Sequence, residues 1–242
     1  PDKNPVAIIE HPDVRRMILR MKALTEGVRA LLYYCAGQVD RGNLGDEAAK
    51  ARAEIVVPLI KAWGTDVGVE VSGLGIQIHG GMGFVEETGA AQHWRDSRIA
   101  PIYEGTNGIQ AADLVTRKLG LDGGEAILNL FDIIARETSA EPALSALARD
   151  CARVALWMQD EASLDDKLAG SVPFCTMAAV AVAGWQLKML RRTGVSDTPV
   201  TAYGPFTVSS RRCGNSEKPY ATAFDVLFSE YLSGLMRSCT TP

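Results

Sequence analysis

Apolar residues recur three and four positions apart over most of this chain. Between residues 12 and 41 they fall at Val14, Met17, Ile18, Met21, Leu24, Val28, Leu31, Leu32, Cys35 and Val39, one stripe along a helix. Pro12 suits a first turn, Asp13 complements the positive helix end, and Gly42 can stop the helix. A second helix is expected from Asp46, its cap, through Ala49, Ala53, Val56, Ile60 and Val67, with Pro58 removing a donor and predicting a kink. Gly64, Gly68, Gly73 and Gly75 lower helix propensity there but allow close backbone approach. Gly80-Gly81-x-Gly83 favours a turn, and residues 84–103 read as irregular. Helix returns near Thr106, with Ile109, Ala112, Val115 and Leu119 on one face. Beyond Gly120 and Gly123-Gly124, helices are expected over 125–137, 142–159, 172–192 and 221–237, with 194–219 rich in loop residues. Strand-like alternation is scarce. The pattern defines an all-α protein, an antiparallel helical bundle over 1–120 followed by a helical extension over 121–242.

Composition narrows the function classes. A net charge of -4 gives no footprint for nucleic acid. Five scattered cysteines without Cys-x-x-Cys spacing point to reduced thiols rather than a disulfide framework or zinc site. No basic segment followed by an apolar core opens the chain, so a cytoplasmic location is expected. The most apolar run, 172–185, is shorter than the roughly 20 residues that span a bilayer and reads as a buried helix. Pro1-Asp2-Lys3-Asn4-Pro5 is not an initiator sequence, and a piece of a longer protein is expected.

Two stretches carry chemistry. Glu104 lies between Ile99, Pro101, Ile102 and Tyr103 on one side and a helix capped by Thr106 on the other. Helix dipole and free N–H groups stabilise a carboxylate there by about 0.3–1 kcal/mol, whereas apolar surroundings would raise its pKa toward a proton-accepting range. A first-turn glutamate that only stabilises its helix is the plainer reading. Gly80 and Gly81 leave no Cβ to keep a phosphate from backbone N–H groups, although a tight helix-ending turn needs the same residues. The dinucleotide fingerprint is absent, as is a Gly-x-Ser-x-Gly elbow. His11, His79 and His93 lack metal-ligand spacing, and no metal site is expected. Trp63, Trp157 and Trp185 sit on apolar helical faces and read as core.

These residues resemble the C-terminal domain of the acyl-CoA dehydrogenases. Gln77, Gly80-Gly81, Gly83, Phe84, Glu87 and Asp96 fit one family signature, with Gln92 where a lysine or arginine is usual. Tyr103-Glu104-Gly105-Thr106 matches a second in full, and Ile109-Gln110 continues it. The resemblance covers residues 8–119, less that domain's first helix. Beyond Gly120 it passes to the extension of the branch containing 3-methylmercaptopropionyl-CoA dehydrogenase. It implies that Glu104 takes the α-proton of an acyl-CoA while the β-hydrogen leaves as hydride to FAD, and that Gly105 leaves room for the thioester. Gln77, Ile78, His79, Gly80 and Gly81 would meet the FAD of a neighbouring subunit, and Thr106, Asn107 and Gly108 would line the flavin site. Gly108 stands where many members have glutamine. An electron-transfer flavoprotein as acceptor, and a homodimer or dimer of dimers, are implied as well. Two alternatives stay open: an oxidase-like enzyme, and a non-catalytic helical assembly module.

Overall fold

Every regular element among the described residues is helical. The computed structural model describes residues 5–192; the expected loop over 194–219, the expected helix over 221–237, Cys213 and Cys239 lie outside them. The long helices are α1 (Pro12–Asn43), α2 (Glu47–Leu59), α3 (Thr65–Ile78), α6 (Asn107–Thr116), α7 (Glu125–Glu137), α8 (Pro142–Asp160) and α9 (Leu164–Arg192). Two shorter ones, α4 (Gly81–Phe84) and α5 (Ala90–Ser97), lie between α3 and α6.

The expected start signals operate, but α1 runs through Gly42 to Asn43, and the left-handed glycine beyond its end is Gly45 at φ 97°. Pro12 opens α1, and Asp46 caps α2 by accepting the Ala49 N–H at 2.9 Å. That bond, helped by Arg41, holds the Asp46 carboxyl below its ordinary pKa. A depressed folded-state pKa makes the carboxylate a stabilising group above its unfolded value, and this stabilisation is lost as pH falls through the folded value. Asp46→Ala should therefore melt earlier than the parent at pH 7, and the gap should narrow below about pH 4. Thermal melts across pH 3–7 measure it; a pH-independent gap would contradict the ionised cap.

One hydrophobic cluster draws on both sides of Gly120, joining Leu24, Leu31, Ile55 and Leu59 to Phe131, Ile134, Leu144 and Phe174. Its centre is α9, which packs on α1, α6 and α8. Residues 178–185 of α9 are all buried, and the four alanines and Gly184 among them let neighbouring helices come close. At 29 residues α9 is long and apolar enough to cross a membrane by length and composition, yet most of its apolar window is inside the protein. The helix begins eight residues before the expected 172 because Asp165 and Asp166 favour its first turn and Pro173 is accommodated within it. Cys35, Cys151 and Cys175 are buried free thiols; burial pushes all three up, Cys175 to about 12.

Several positions differ from the sequence pattern. Leu32, Val39 and Ile109 lie on the expected stripes but face outward, and α6 buries Ala111 and Leu114 beside the expected Val115. Trp63 and Trp185 are core residues, whereas Trp157 is 41% exposed. The segment expected to be irregular contains α5. Gly89 precedes that helix at φ 73°, the Thr88 hydroxyl accepts the Ala90 N–H, and the Trp94 ring lies beside Gly73, 3.5 Å from where a Cβ there would stand. That contact, with the 3.0 Å Ser72–Ser97 hydroxyl pair, folds α5 back along α3.

Candidate active site

The α2–α3 rod is the platform of the site. The irregularity expected after Pro58 is a π-helical turn at Ile60–Gly64 that joins α2 to α3 without leaving helical backbone angles at either junction. Ala62, Thr65 and Asp66 stand on one face of this junction, at the i, i+3, i+4 spacing. Asn107, the first residue of α6, reaches that face. Its Nδ2 donates to Ala62 O (2.9 Å), Thr65 Oγ1 (3.0 Å) and Asp66 Oδ1 (2.8 Å), and its Oδ1 accepts from Lys61 Nζ (3.0 Å). Partial burial pushes the Asp66 carboxyl above its ordinary pKa, opposed by the Asn107 bond, Arg98 and Lys61.

Glu104 sits three residues before that anchor. It has φ 56°, one of two non-glycine residues with positive φ among those described, and Gly105 follows at 88°. A left-handed non-glycine residue costs on the order of 1–3 kcal/mol and persists only where its surroundings enforce it. Here Tyr103 N–H and Ile102 N–H donate to Ile99 O, and Asn107 N–H closes the loop onto Pro101 O at 3.0 Å. The Thr106 hydroxyl caps α6 by accepting the Ile109 N–H at 3.2 Å. Glu104 is exposed, and among the described residues neither its carboxylate nor its N–H has a hydrogen-bond partner. Ile99, Ile102 and Tyr103 are each about half exposed, so the described residues offer the apolar approach but do not close it into a pocket.

The glycine corner lies at the far end of α3. Fourteen residues at 1.5 Å each separate it from the Asn107 anchor by about 20 Å. Its three glycines answer to different constraints. Gly80, at φ 61° and ψ −145°, occupies backbone space that side chains oppose. A Cβ on Gly83 would lie 2.2 Å from Ile76 O and 2.9 Å from His79 Cβ. A Cβ on Gly81 would meet nothing within 4 Å, so packing among the described residues gives no reason for glycine there. Gln77 and His79 are exposed beside it, Ile78 is half-buried, and the His79 ring bonds Gly75 O through Nδ1 at 2.7 Å. An open backbone corner fits a cofactor approaching from outside the chain. Arg95, between the motifs, pairs in bidentate fashion with Glu86, just past the corner, at 3.0 and 2.7 Å.

Residues 2–119 match the family model for the acyl-CoA dehydrogenase C-terminal domain, which ends one residue before Gly120. The chain is 46% identical over 205 residues to 3-methylmercaptopropionyl-CoA dehydrogenase of Ruegeria pomeroyi, covering 76% of this chain and 34% of that protein. That alignment is longer than the family model's and continues into the helices after Gly120. It is 39% identical over 145 residues to a butyryl-CoA dehydrogenase of Syntrophomonas wolfei, covering 56% of this chain and 24% of the relative. An acyl-CoA dehydrogenase from Bacillus anthracis complexed with FAD shares the fold with a TM-score of 0.65 at 22% identity, over 82% of this chain and 38% of the other. The Caenorhabditis elegans ACDH-11 complex with C11-CoA gives 0.63 at 19%, over 74% and 32%. Residues 2–119 are an acyl-CoA dehydrogenase C-terminal domain, and the similarity to 3-methylmercaptopropionyl-CoA dehydrogenase runs on past it. The chain spans a quarter to a third of the length of these curated relatives.

Proposed function

We propose that this chain supplies the C-terminal helical part of an FAD-dependent acyl-CoA dehydrogenase, in which Glu104 takes the α-proton of an acyl-CoA thioester. The observation that carries this reading is the Glu104 loop: a carboxylate held in costly backbone geometry, exposed and engaged by no described residue. A carboxylate free of ion pairs keeps its lone pairs for a substrate proton. A thioester α-carbon is a weak acid, so donors must meet the charge that develops on its carbonyl oxygen, and the Glu104 N–H, without a partner among the described residues, would be one such donor. Gly105 leaves space beside it.

FAD, when bound, accepts the β-hydrogen as hydride, which leaves the 2-enoyl-CoA. Thr106 and Gly108 would hold it at the start of α6, with Asn107 supporting them from behind. Gln77, Ile78, His79, Gly80 and Gly81 would hold the cofactor of a second subunit. The separation of the two motifs along α3 supports that division between copies of a homodimer or dimer of dimers. An electron-transfer flavoprotein would take the electrons onward.

Mixing the flavin-loaded full-length protein with short acyl-CoAs without oxygen tests the reading. Bleaching of the oxidised flavin with formation of 2-enoyl-CoA is the expected result; no bleaching with any of them overturns it. The 242-residue chain alone is expected to retain little flavin, because the described residues gather no complete cofactor wall around either motif. Absorbance spectroscopy of the purified chain checks this, and a stoichiometric yellow complex would contradict it.

A further inference from the structure

We propose that Asn107 is the positioning residue of this site, fixing the Glu104 loop to the π-turn through its side chain. The inference rests on the reading of Glu104 as the proton acceptor, and its geometric part stands apart from that reading. The amide is fully committed. Lys61 Nζ and Asp66 Oδ1 approach from opposite ends, so Oδ1 must face the ammonium and Nδ2 the carboxylate. The contacts reach back 41 to 46 residues and tie the start of α6 to the rod. The π-turn lies where Asn107 docks: Ala62, within it, offers its carbonyl to Nδ2. Asn107 also closes the loop by its own N–H to Pro101 O, so one residue holds the segment by backbone and side chain together.

The residue type follows from these partners. Aspartate at 107 would keep the Lys61 contact but set a second carboxylate against Asp66 and a lone pair against Ala62 O. Alanine would remove every side-chain bond and leave the Ile99 and Pro101 backbone contacts and the Thr106 cap to hold Glu104 at positive φ. The carboxylate would then sample other directions, and misplacement of a reacting group by about 1 Å can cost 100-fold in rate.

Amide hydrogen exchange on the 242-residue chain reads the geometric part without flavin or substrate. Asn107→Ala is expected to speed exchange over 99–106 by about tenfold and leave α7–α9 as protected as before. Asn107→Asp should loosen the same segment, and adding Asp66→Asn should restore part of its protection by giving the new carboxylate a donor. Unchanged exchange over 99–106 in Asn107→Ala overturns the anchor; if that variant does not fold, Asp66→Ala must loosen the same segment for the anchor to stand. In the flavin-loaded full-length protein, Asn107→Ala should lower kcat about 100-fold with KM within about twofold. A loosened loop with unchanged kcat overturns the positioning role. Loosened exchange beside a parent protein that turns over no acyl-CoA counts against the dehydrogenase reading and leaves the anchor standing.

Discussion

Glu104→Gln is expected to leave the fold intact and lower acyl-CoA turnover by roughly 1,000-fold, within the range that general bases contribute. The two halves of this expectation have separate causes. Glu104 is exposed and has no ion pair or hydrogen bond among the described residues, so replacing its carboxylate by an amide breaks no contact. Glutamine has nearly the same size and tolerates the same backbone, and the change in stability should stay within about 0.5 kcal/mol. The amide cannot take a proton, so the loss falls on kcat and kcat/KM together while flavin stays bound. Stopped-flow flavin reduction and thermal melts on the same preparations separate the two. Normal turnover would remove Glu104 from its role, and a large drop in melting temperature would show that the carboxylate holds the loop.

Gly83→Ala is expected to destabilise the chain by about 3 kcal/mol, at the upper end for overpacking. The added carbon meets a carbonyl oxygen of α3 at 2.2 Å, and backbone cannot rotate out of its way as a flexible side chain could. Either α4 moves off α3 or the corner opens. Gly81→Ala, two residues earlier, provides the contrast. Nothing lies within 4 Å of its new methyl, so stability should be unchanged or raised by up to about 1 kcal/mol, while flavin affinity in the full-length protein falls. Urea unfolding of the two variants distinguishes them; equal stability losses would mean that Gly81 also serves internal packing.

Much of this was legible in the sequence. The bounds of α7 follow directly from its apolar spacing and flanking glycines, and Asp46 and Thr106 cap the helices they announce. Outward-facing Leu32, Ile109 and Trp157 were not legible, because an apolar stripe wider than the buried face looks the same whichever edge is covered. The helix at Ala90–Ser97 escaped notice because eight residues give barely two turns of periodicity, and a tryptophan seated on a glycine of another helix stabilises it. At the site, the residue types were readable but their tasks were not. Gly80, Gly81 and Gly83 look alike in sequence, and only coordinates show that one meets a dihedral demand, one a steric demand and one neither. Asn107 could be matched to a motif, yet its side chain turns inward to partners more than forty residues away, which no local pattern encodes.

Exchange of the substrate's α-hydrogen with solvent deuterium, followed by mass spectrometry in the flavin-loaded full-length protein, tests most directly whether this carboxylate handles that proton. Label entering the α-position with the parent protein and not with Glu104→Gln is the expected result. Equal incorporation by both would contradict Glu104 as the base.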